Sequence, residues 1–188
     1  MKQLILASIL SAATLTATAA PVAYSVDPSH TFATFEINHL GYSTQRGAFD
    51  KTSGTITVDL EKKTGSADIS IDTASLDTGW DARDKHLKSE DFFNVEKFPS
   101  MTFKGTNFKF DGDKLSSVSG DFTLLGVTKP LTLQVTSFKC APHPMSKKPA
   151  CGADAVATIK RSEFGMSAYV PAVSDEVTLR IQVEAASK

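Results

Sequence analysis

The chain has 188 residues, of which 41% are hydrophobic, and its 20 basic and 21 acidic side chains give a formal net charge of −1. This near balance excludes the basic footprint that nucleic-acid-binding proteins carry and offers no basic run for an anionic lipid surface. We therefore expect an uncharged or weakly charged small molecule as the partner, and no nucleic acid.

Residues 1–19 have the form of a secretory signal peptide. Lys2 precedes an apolar run over 4–15, and Ala17 and Ala19 supply the small residues of a cleavage site after Ala19. The run is too short to span a bilayer and no later run is apolar enough, so we expect an exported protein without stable membrane insertion. Residues 20–188 then form one domain, a length that suits a single hydrophobic core.

Alternation of apolar and polar residues begins soon after the cleavage site. Ala33, Phe35, Ile37 and His39 fall on one face of a predicted strand, and polar residues fall on the other. The same period of two recurs at 55–60 and 67–72. Because each stretch has one polar face, the pattern favours antiparallel strands that bury a single side.

A short helix is predicted at 79–88, where the alternation stops. Thr78 is a candidate N-cap, and Asp81, three residues later, is placed to complete a capping box. A helix this short is marginal by itself and needs a surface to pack on. Phe92 and Phe93 follow it and are candidates for closing one end of the fold.

Alternation returns at 132–136 and 177–184, on either side of a loop that carries both cysteines. Cys140 and Cys151 enclose a segment with three prolines and no strand pattern. In an exported chain such a pair predicts a structural disulfide rather than a redox site. The bridge contributes roughly 3 kcal/mol in the loop-entropy model.

The predicted fold is all-β, an up-and-down antiparallel barrel of about eight strands with one short helix. Short turns between the strands favour this meander, and closure removes exposed edges. A two-sheet sandwich is the alternative, but sandwiches usually need Greek-key crossings. A barrel of this size is either filled by side chains or holds one small ligand. Small inward residues such as Ala33, Ala67 and Gly105 either leave a cavity or accommodate large neighbours, and the pattern leaves both open.

Few side chains have a spacing that suits catalysis. His30 and His39 are an odd number of residues apart, so an unbroken strand would point them to opposite faces, and with His86 they form no metal-binding motif. We therefore predict no enzymatic activity, no cofactor and no metal site. Arg83 has two interpretations: it pairs with a carboxylate and an aromatic ring, or it holds a ligand head group at a pocket mouth. His39 is a second head-group candidate.

Several motifs occur in a fixed order along the predicted domain. They are DPSH at 27–30, GAF at 47–49, RDKHLKS at 83–89, DFF at 91–93, GDFTLLGVTKP at 120–130 and IKRSEFG at 159–165. Together they resemble the YceI-like family, the bacterial polyisoprenoid-binding proteins. This resemblance implies a periplasmic, lipocalin-like barrel that holds a long isoprenoid or similar amphiphile lengthwise in its interior.

The resemblance also assigns a role to the inward residues of the strands, which are expected to line an apolar tube. These are Phe35, Ile37, Ile56, Val58, Ile69, Ile71, Phe122, Leu124, Leu133, Val135, Leu179 and Ile181. The implied function is non-catalytic binding, sequestration or transport of a polyisoprenoid, an isoprenoid quinone or a fatty-acid-like amphiphile. Two alternatives stay open: an enzyme acting on the head group of a hydrophobic substrate, and a filled barrel acting through its surface in stress response. A homodimer is also left open.

Overall fold

The computed structural model describes residues 21–187, so the predicted signal peptide at 1–19 lies outside the described residues. The strands are β1 (Val22–Val26), β2 (Phe32–His39), β3 (Ser43–Phe49), β4 (Thr52–Asp59), β5 (Thr64–Asp72), β6 (Leu76–Asp77), β7 (Ser100–Asp111), β8 (Lys114–Leu124), β9 (Val127–Pro142), β10 (Pro149–Lys160) and β11 (Val173–Ser187). The helix α1 is Asp81–Leu87, and 3-10 turns occupy Thr73–Ser75 and Arg161–Phe164.

The strands close into a ring because β1 pairs with β4 on one side and with β11 on the other. The order around the ring is β1, β4, β5, β7, β8, β9, β10 and β11. Beyond β1, the strand β2 also pairs with β11, so β1 and β2 are two halves of one bent strand. In the same way β3 and β4 pair with β2 and β1 and form the neighbouring bent strand.

The wall therefore has eight antiparallel positions, each occupied by one straight or bent strand, and neighbours in sequence are neighbours in space. This arrangement confirms the predicted up-and-down barrel, and the sandwich alternative is wrong. The period-two pattern is what sets the register: Ile69 pairs with Phe103 and Ile71 with Met101, so apolar residues of β5 and β7 share the inner face. Asp68, between the inward residues of β5, is exposed.

The wall separates between β9 and β10 near the α1 end. The pairing of β9 with β10 runs from Pro142 and Pro149 to Gln134 and Val156, with a bulge after Asp154, and goes no further. Beyond that point β9 pairs only with β8, and β10 only with β11. The 3-10 turn that follows β10 carries Phe164, which is part of the buried core.

Cys140 and Cys151 form the predicted disulfide, as a directly opposed pair of β9 and β10. Both strands continue past the bridge, β9 as far as Pro142 and β10 from Pro149. The expectation of an irregular loop immediately beyond the cysteines is therefore wrong. The cross-strand register extends the ladder into proline-containing sequence, because prolines are tolerated at strand ends.

The helix α1 lies in the segment that connects β6 to β7, as predicted, but its start differs from the prediction. Its N-cap is Trp80, which makes no side-chain capping bond, so the capping box between Thr78 and Asp81 is wrong. Gly79 has a φ of 76° and places a turn between Thr78 and the helix. Asp84 instead accepts hydrogen bonds from both the backbone and the hydroxyl of Thr78. Within residues 21–187, no helix is long and apolar enough to cross a membrane.

Candidate functional site

The barrel interior contains two chambers that are aligned along its axis. The upper chamber, of about 400 Å³, lies at the α1 end and is bounded there by Arg83 and Leu87. The lower chamber, of about 130 Å³, lies toward the disulfide and is bounded by Cys151. Inward side chains such as Ile37 and Leu179 are only half-buried, since part of their surface faces a chamber. Side chains therefore do not fill this barrel.

All of the predicted tube residues lie on these two chambers, in three groups. The upper chamber alone is lined by Phe35, Ile37 and Leu124. The lower chamber alone is lined by Ile56, Val58, Ile69, Leu133 and Val135. Both chambers are lined by Ile71, Phe122, Leu179 and Ile181. The geometry thus brings these residues together, while contact of each with a ligand stays a prediction.

Aromatic rings join the segment after α1 to the barrel wall. Phe93 is buried and packs edge-on against Phe49 at 5.3 Å between ring centroids, and Phe49 lies 6.0 Å from Phe35. Phe92 is also buried and stacks on Tyr169 at 6.1 Å between ring centroids. Both predicted gate residues therefore line the upper chamber at its mouth, each held by a ring from the wall or rim.

Arg83 links the helix to the wall. Its Nε donates to the hydroxyl oxygen of Thr78 at 2.8 Å, its Nη2 donates to the Thr78 carbonyl at 2.7 Å, and its Nη1 donates to the side-chain oxygen of Gln45 on β3. The guanidinium also lies 5.9 Å from the Trp80 ring. We call α1 the lid, since it bounds the upper chamber, and we call the hydrogen bonds from Arg83 to Thr78 and Gln45 the lid latch. The predicted aromatic contact is present, but the partners of Arg83 in the latch are neutral groups instead of a carboxylate.

Another part of the rim of the upper chamber is held by Arg161, which is only 2% exposed. Its guanidinium donates to the carbonyls of Ser174 at 2.9 Å, Met166 at 2.9 Å and Val173 at 3.0 Å. Burial lowers the pKa of Arg161, and the charge of Asp175 opposes that shift. Arg161 thus ties down the segment 165–174, which carries Met166 and Tyr169 to the chamber.

The carboxylate of Asp175, whose charge acts on Arg161, is held in place by Ser162. Asp175 accepts hydrogen bonds from the backbone of Ser162 at 2.8 Å and from its hydroxyl at 2.7 Å. These bonds from Ser162 lower the pKa of Asp175 and keep it ionised. The chain on either side of the second 3-10 turn is therefore joined by one carboxylate and one guanidinium.

The three candidate histidines are divided between two regions. His39 and His86 are exposed and line the rim of the upper chamber. His30 lies in the bend between β1 and β2, where its Nδ1 is 2.9 Å from Asp27 and 3.0 Å from the Ser29 hydroxyl. Hydrogen bonds from Ser29 and His30 lower the pKa of Asp27 to about 2, and the bond to Asp27 raises the pKa of His30.

This division argues against a joint acid/base site. Ser29 and Asp27 both meet the same nitrogen of His30, so the cluster has no relay from a base to a free nucleophile. Over residues 21–187, no group of three or more histidine, cysteine or acidic side chains is placed to hold a metal ion.

Comparison with known proteins agrees with this architecture. Residues 24–185 match the family model of the YceI-like domain. The chain belongs to the YceI-like family. Protein YceI of Escherichia coli O6:H1 is 42% identical over 166 residues, which cover 86% of this chain and 85% of that protein.

Two solved structures are similar to this YceI-like barrel. BcnA of Burkholderia cenocepacia has a TM-score of 0.73 at 26% identity, covering 85% of this chain and 99% of that one. A polyisoprenoid binding domain of Saccharophagus degradans, implicated in plant cell wall breakdown, has a TM-score of 0.67 at 19% identity, covering 89% of this chain and 99% of that one. The second likeness shows the fold alone.

Several residues of this YceI-like site were not predicted. Met101 lines the upper chamber and continues the period-two pattern of β7, so alternation after Pro99 could have revealed it. Met166 and Tyr169 come from an irregular segment that has no period to read. Gln45 and Arg161 act through tertiary contacts between distant parts of the chain, for which the sequence carries no local signal.

Proposed function

We propose that this protein binds a hydrophobic ligand with a long apolar tail inside its barrel, without a covalent step. The candidates are a polyisoprenoid, an isoprenoid quinone or a fatty-acid-like amphiphile. The observation that carries the proposal is the upper chamber of about 400 Å³, which falls within the range of about 300 to 1,000 Å³ typical of small-molecule sites. Most of the side chains that line it are aliphatic or aromatic.

The driving force is removal of apolar surface from water. An apolar tail gains roughly 25 cal/mol for each Å² that it buries, and the chamber walls gain dispersion contacts with it. Backbone hydrogen bonds between neighbouring strands fix most of the wall around the chambers, so binding requires little ordering of the protein. A rigid apolar chamber therefore favours tails by their shape and apolar area.

Polar groups are concentrated at the mouth, where a head group would lie. His39, His86 and the phenol of Tyr169 belong to the rim, and Arg83 and Gln45 meet there in the lid latch. Three of the guanidinium N–H groups of Arg83 are used within the protein, which leaves others for a ligand oxygen. We place Phe92 and Phe93 as the gate that a tail passes when it enters.

Three further features support export and a binding role. The predicted signal peptide directs the chain out of the cytoplasm, and the disulfide is stable in the oxidising periplasm. The Saccharophagus domain of the same fold is described as polyisoprenoid binding. We infer a carrier or sequestering protein in the periplasm, where a lipid tail needs protection from water.

The test is recovery and exchange of the ligand. Protein purified gently from the periplasm should yield, on organic extraction and mass spectrometry, a lipid-like molecule in stoichiometric amount. Delipidated protein should then bind added geranylgeraniol. Wild-type protein that yields empty extracts and binds no added geranylgeraniol would refute the proposal.

A matched pair of variants ties binding to the interior. Ile181→Asn places an amide against the tail, where burial without a partner costs about 1 to 3 kcal/mol, so the affinity for geranylgeraniol should fall by about 5- to 150-fold. Gln182→Asn changes the adjacent outward, exposed residue and should leave that affinity unchanged. Equal affinities for the two variants would place the ligand outside the barrel.

A further inference from the structure

The two chambers meet at one level of the barrel, where they share lining residues. Five residues line both of them: Ala33 from β2, Ile71 from β5, Phe122 from β8, and Leu179 and Ile181 from β11. A side chain that borders both chambers must lie at the level between them. We call this ring of five residues the waist.

One side chain dominates the waist. Phe122 is its only aromatic member and is 5% exposed. Around the eight wall positions, β8 is four places from the bent strand β1–β2, so Phe122 and Ala33 come from opposite sides of the barrel. The waist therefore has its one aromatic ring on the side of the barrel opposite its smallest side chain.

The ring of Phe122 is held by the protein itself. Phe164, from the second 3-10 turn, packs edge-on against it with 5.5 Å between centroids and 72° between planes. Phe164 is 4% exposed and lines neither chamber. Because interiors are close-packed, the Phe122 ring has no room to retreat into the wall while Phe164 stays in place.

We propose that Phe122 sets the length of apolar tail that this protein can enclose. The inference rests on the proposed function and narrows the ligand to molecules whose apolar tail ends at the waist. A tail that ends at the waist fills the upper chamber, and all of its apolar surface contributes to the affinity. Carbons beyond that length gain nothing, because they remain at the mouth instead of entering the lower chamber.

The experiment measures affinity against tail length. Linear primary alcohols from octanol to octadecanol compete with bound N-phenylnaphthylamine, a fluorescent apolar probe, on delipidated full-length mature protein. Each methylene that enters an apolar site should raise the affinity about fourfold. For the wild type, this rise should stop at a break length, and longer alcohols should bind no more tightly.

Three variants locate the break. Phe122→Ala opens the waist and should move the break to longer alcohols, and Phe122→Leu, which keeps an aliphatic side chain in place, should move it less in the same direction. Phe110→Ala removes the same atoms from a half-buried ring that lines neither chamber, so it should keep the wild-type break. Circular dichroism melting shows which variants are folded.

The outcomes separate the two claims. If the wild-type affinity rises through octadecanol without a break, or if Phe122→Leu and Phe122→Ala keep the wild-type break, the waist does not limit the tail. If the wild type binds no alcohol of any length and no geranylgeraniol, the proposed function fails and the length limit falls with it.

Discussion

Replacing Arg161 by methionine tests how the rim of the upper chamber is held in place. The guanidinium is 2% exposed and donates one hydrogen bond each to the carbonyls of Met166, Val173 and Ser174. Methionine is also a long side chain and packs in apolar surroundings, but it donates no hydrogen bond. The variant therefore removes the fastening of the rim segment with little change in packing.

Two opposing contributions decide how much Arg161→Met lowers the free energy of unfolding. Hydrogen bonds to charged groups contribute about 1.5 to 3 kcal/mol each, so three give about 4.5 to 9 kcal/mol, while burial of a charged group costs several kcal/mol that methionine avoids. The bond to Met166 is fully buried, and that carbonyl loses its donor, whereas the carbonyls of Val173 and Ser174 are partly buried and can accept from water. We expect Arg161→Met to lower the free energy of unfolding by about 2 to 4 kcal/mol.

Urea unfolding followed by far-ultraviolet circular dichroism measures this loss, with an unchanged m-value as the sign that only stability has changed. Arg161→Lys keeps the attraction to Asp175 but cannot place donors at three separate carbonyls, so it should lose most of the same stability. Arg46→Met, at an exposed ion pair with Glu36, should change stability by less than about 0.5 kcal/mol. Wild-type stability in Arg161→Lys, or equal losses in Arg161→Met and Arg46→Met, would refute the reasoning.

Two further predictions concern the contact of His30 with Asp27 in the bend between β1 and β2, and the lid latch. Because the bond to Asp27 raises the pKa of His30, its stabilisation is complete below the unfolded pKa of about 6.5 and is lost as the pH rises through the folded value. Urea midpoints of the wild type and of His30→Gln should therefore differ at about pH 5 and converge at about pH 8; a gap that is constant with pH contradicts this. Gln45→Leu removes the wall side of the lid latch and should speed the release of N-phenylnaphthylamine in stopped-flow measurements, whereas Gln182→Asn should not.

The parts of the fold that the sequence predicted are those with a strict local period. Alternation placed Ile69, Ile71 and Leu179 on the inner face, and the closed wall then brought these side chains to the chambers. The prediction at the helix was less accurate, because a single positive φ at Gly79 separates Thr78 from the first helical turn. Helix position follows from pattern, while cap geometry depends on one backbone angle.

The candidate site shows the same division between local and tertiary information. Phe92 and Phe93 could be selected as gate candidates because paired aromatics after a charged helix need an apolar surface. The partners that hold them, Phe49 and Tyr169, are distant in sequence, and only closure of the barrel brings them to the mouth. Gln45 meets Arg83 for the same reason. A single sequence indicates which residues need partners more readily than which partners they find.

From the sequence, the small inward residues were equally compatible with a cavity and with a filled core. In the structure, some of them make room for large neighbours and others border the chambers. A Cβ on Gly105 would lie 2.8 Å from a methyl of Val118 and 3.1 Å from the Phe103 ring, so that glycine makes room for large neighbours and adds no free volume. Ala33 borders both chambers on the side of the barrel opposite Phe122. Since strand number and spacing fix the circumference of the wall, the free volume at the waist depends on the sizes of its five side chains, of which Phe122 is the largest and Ala33 the smallest. Larger or smaller residues at either position would change which tails fit while leaving the backbone ladder intact.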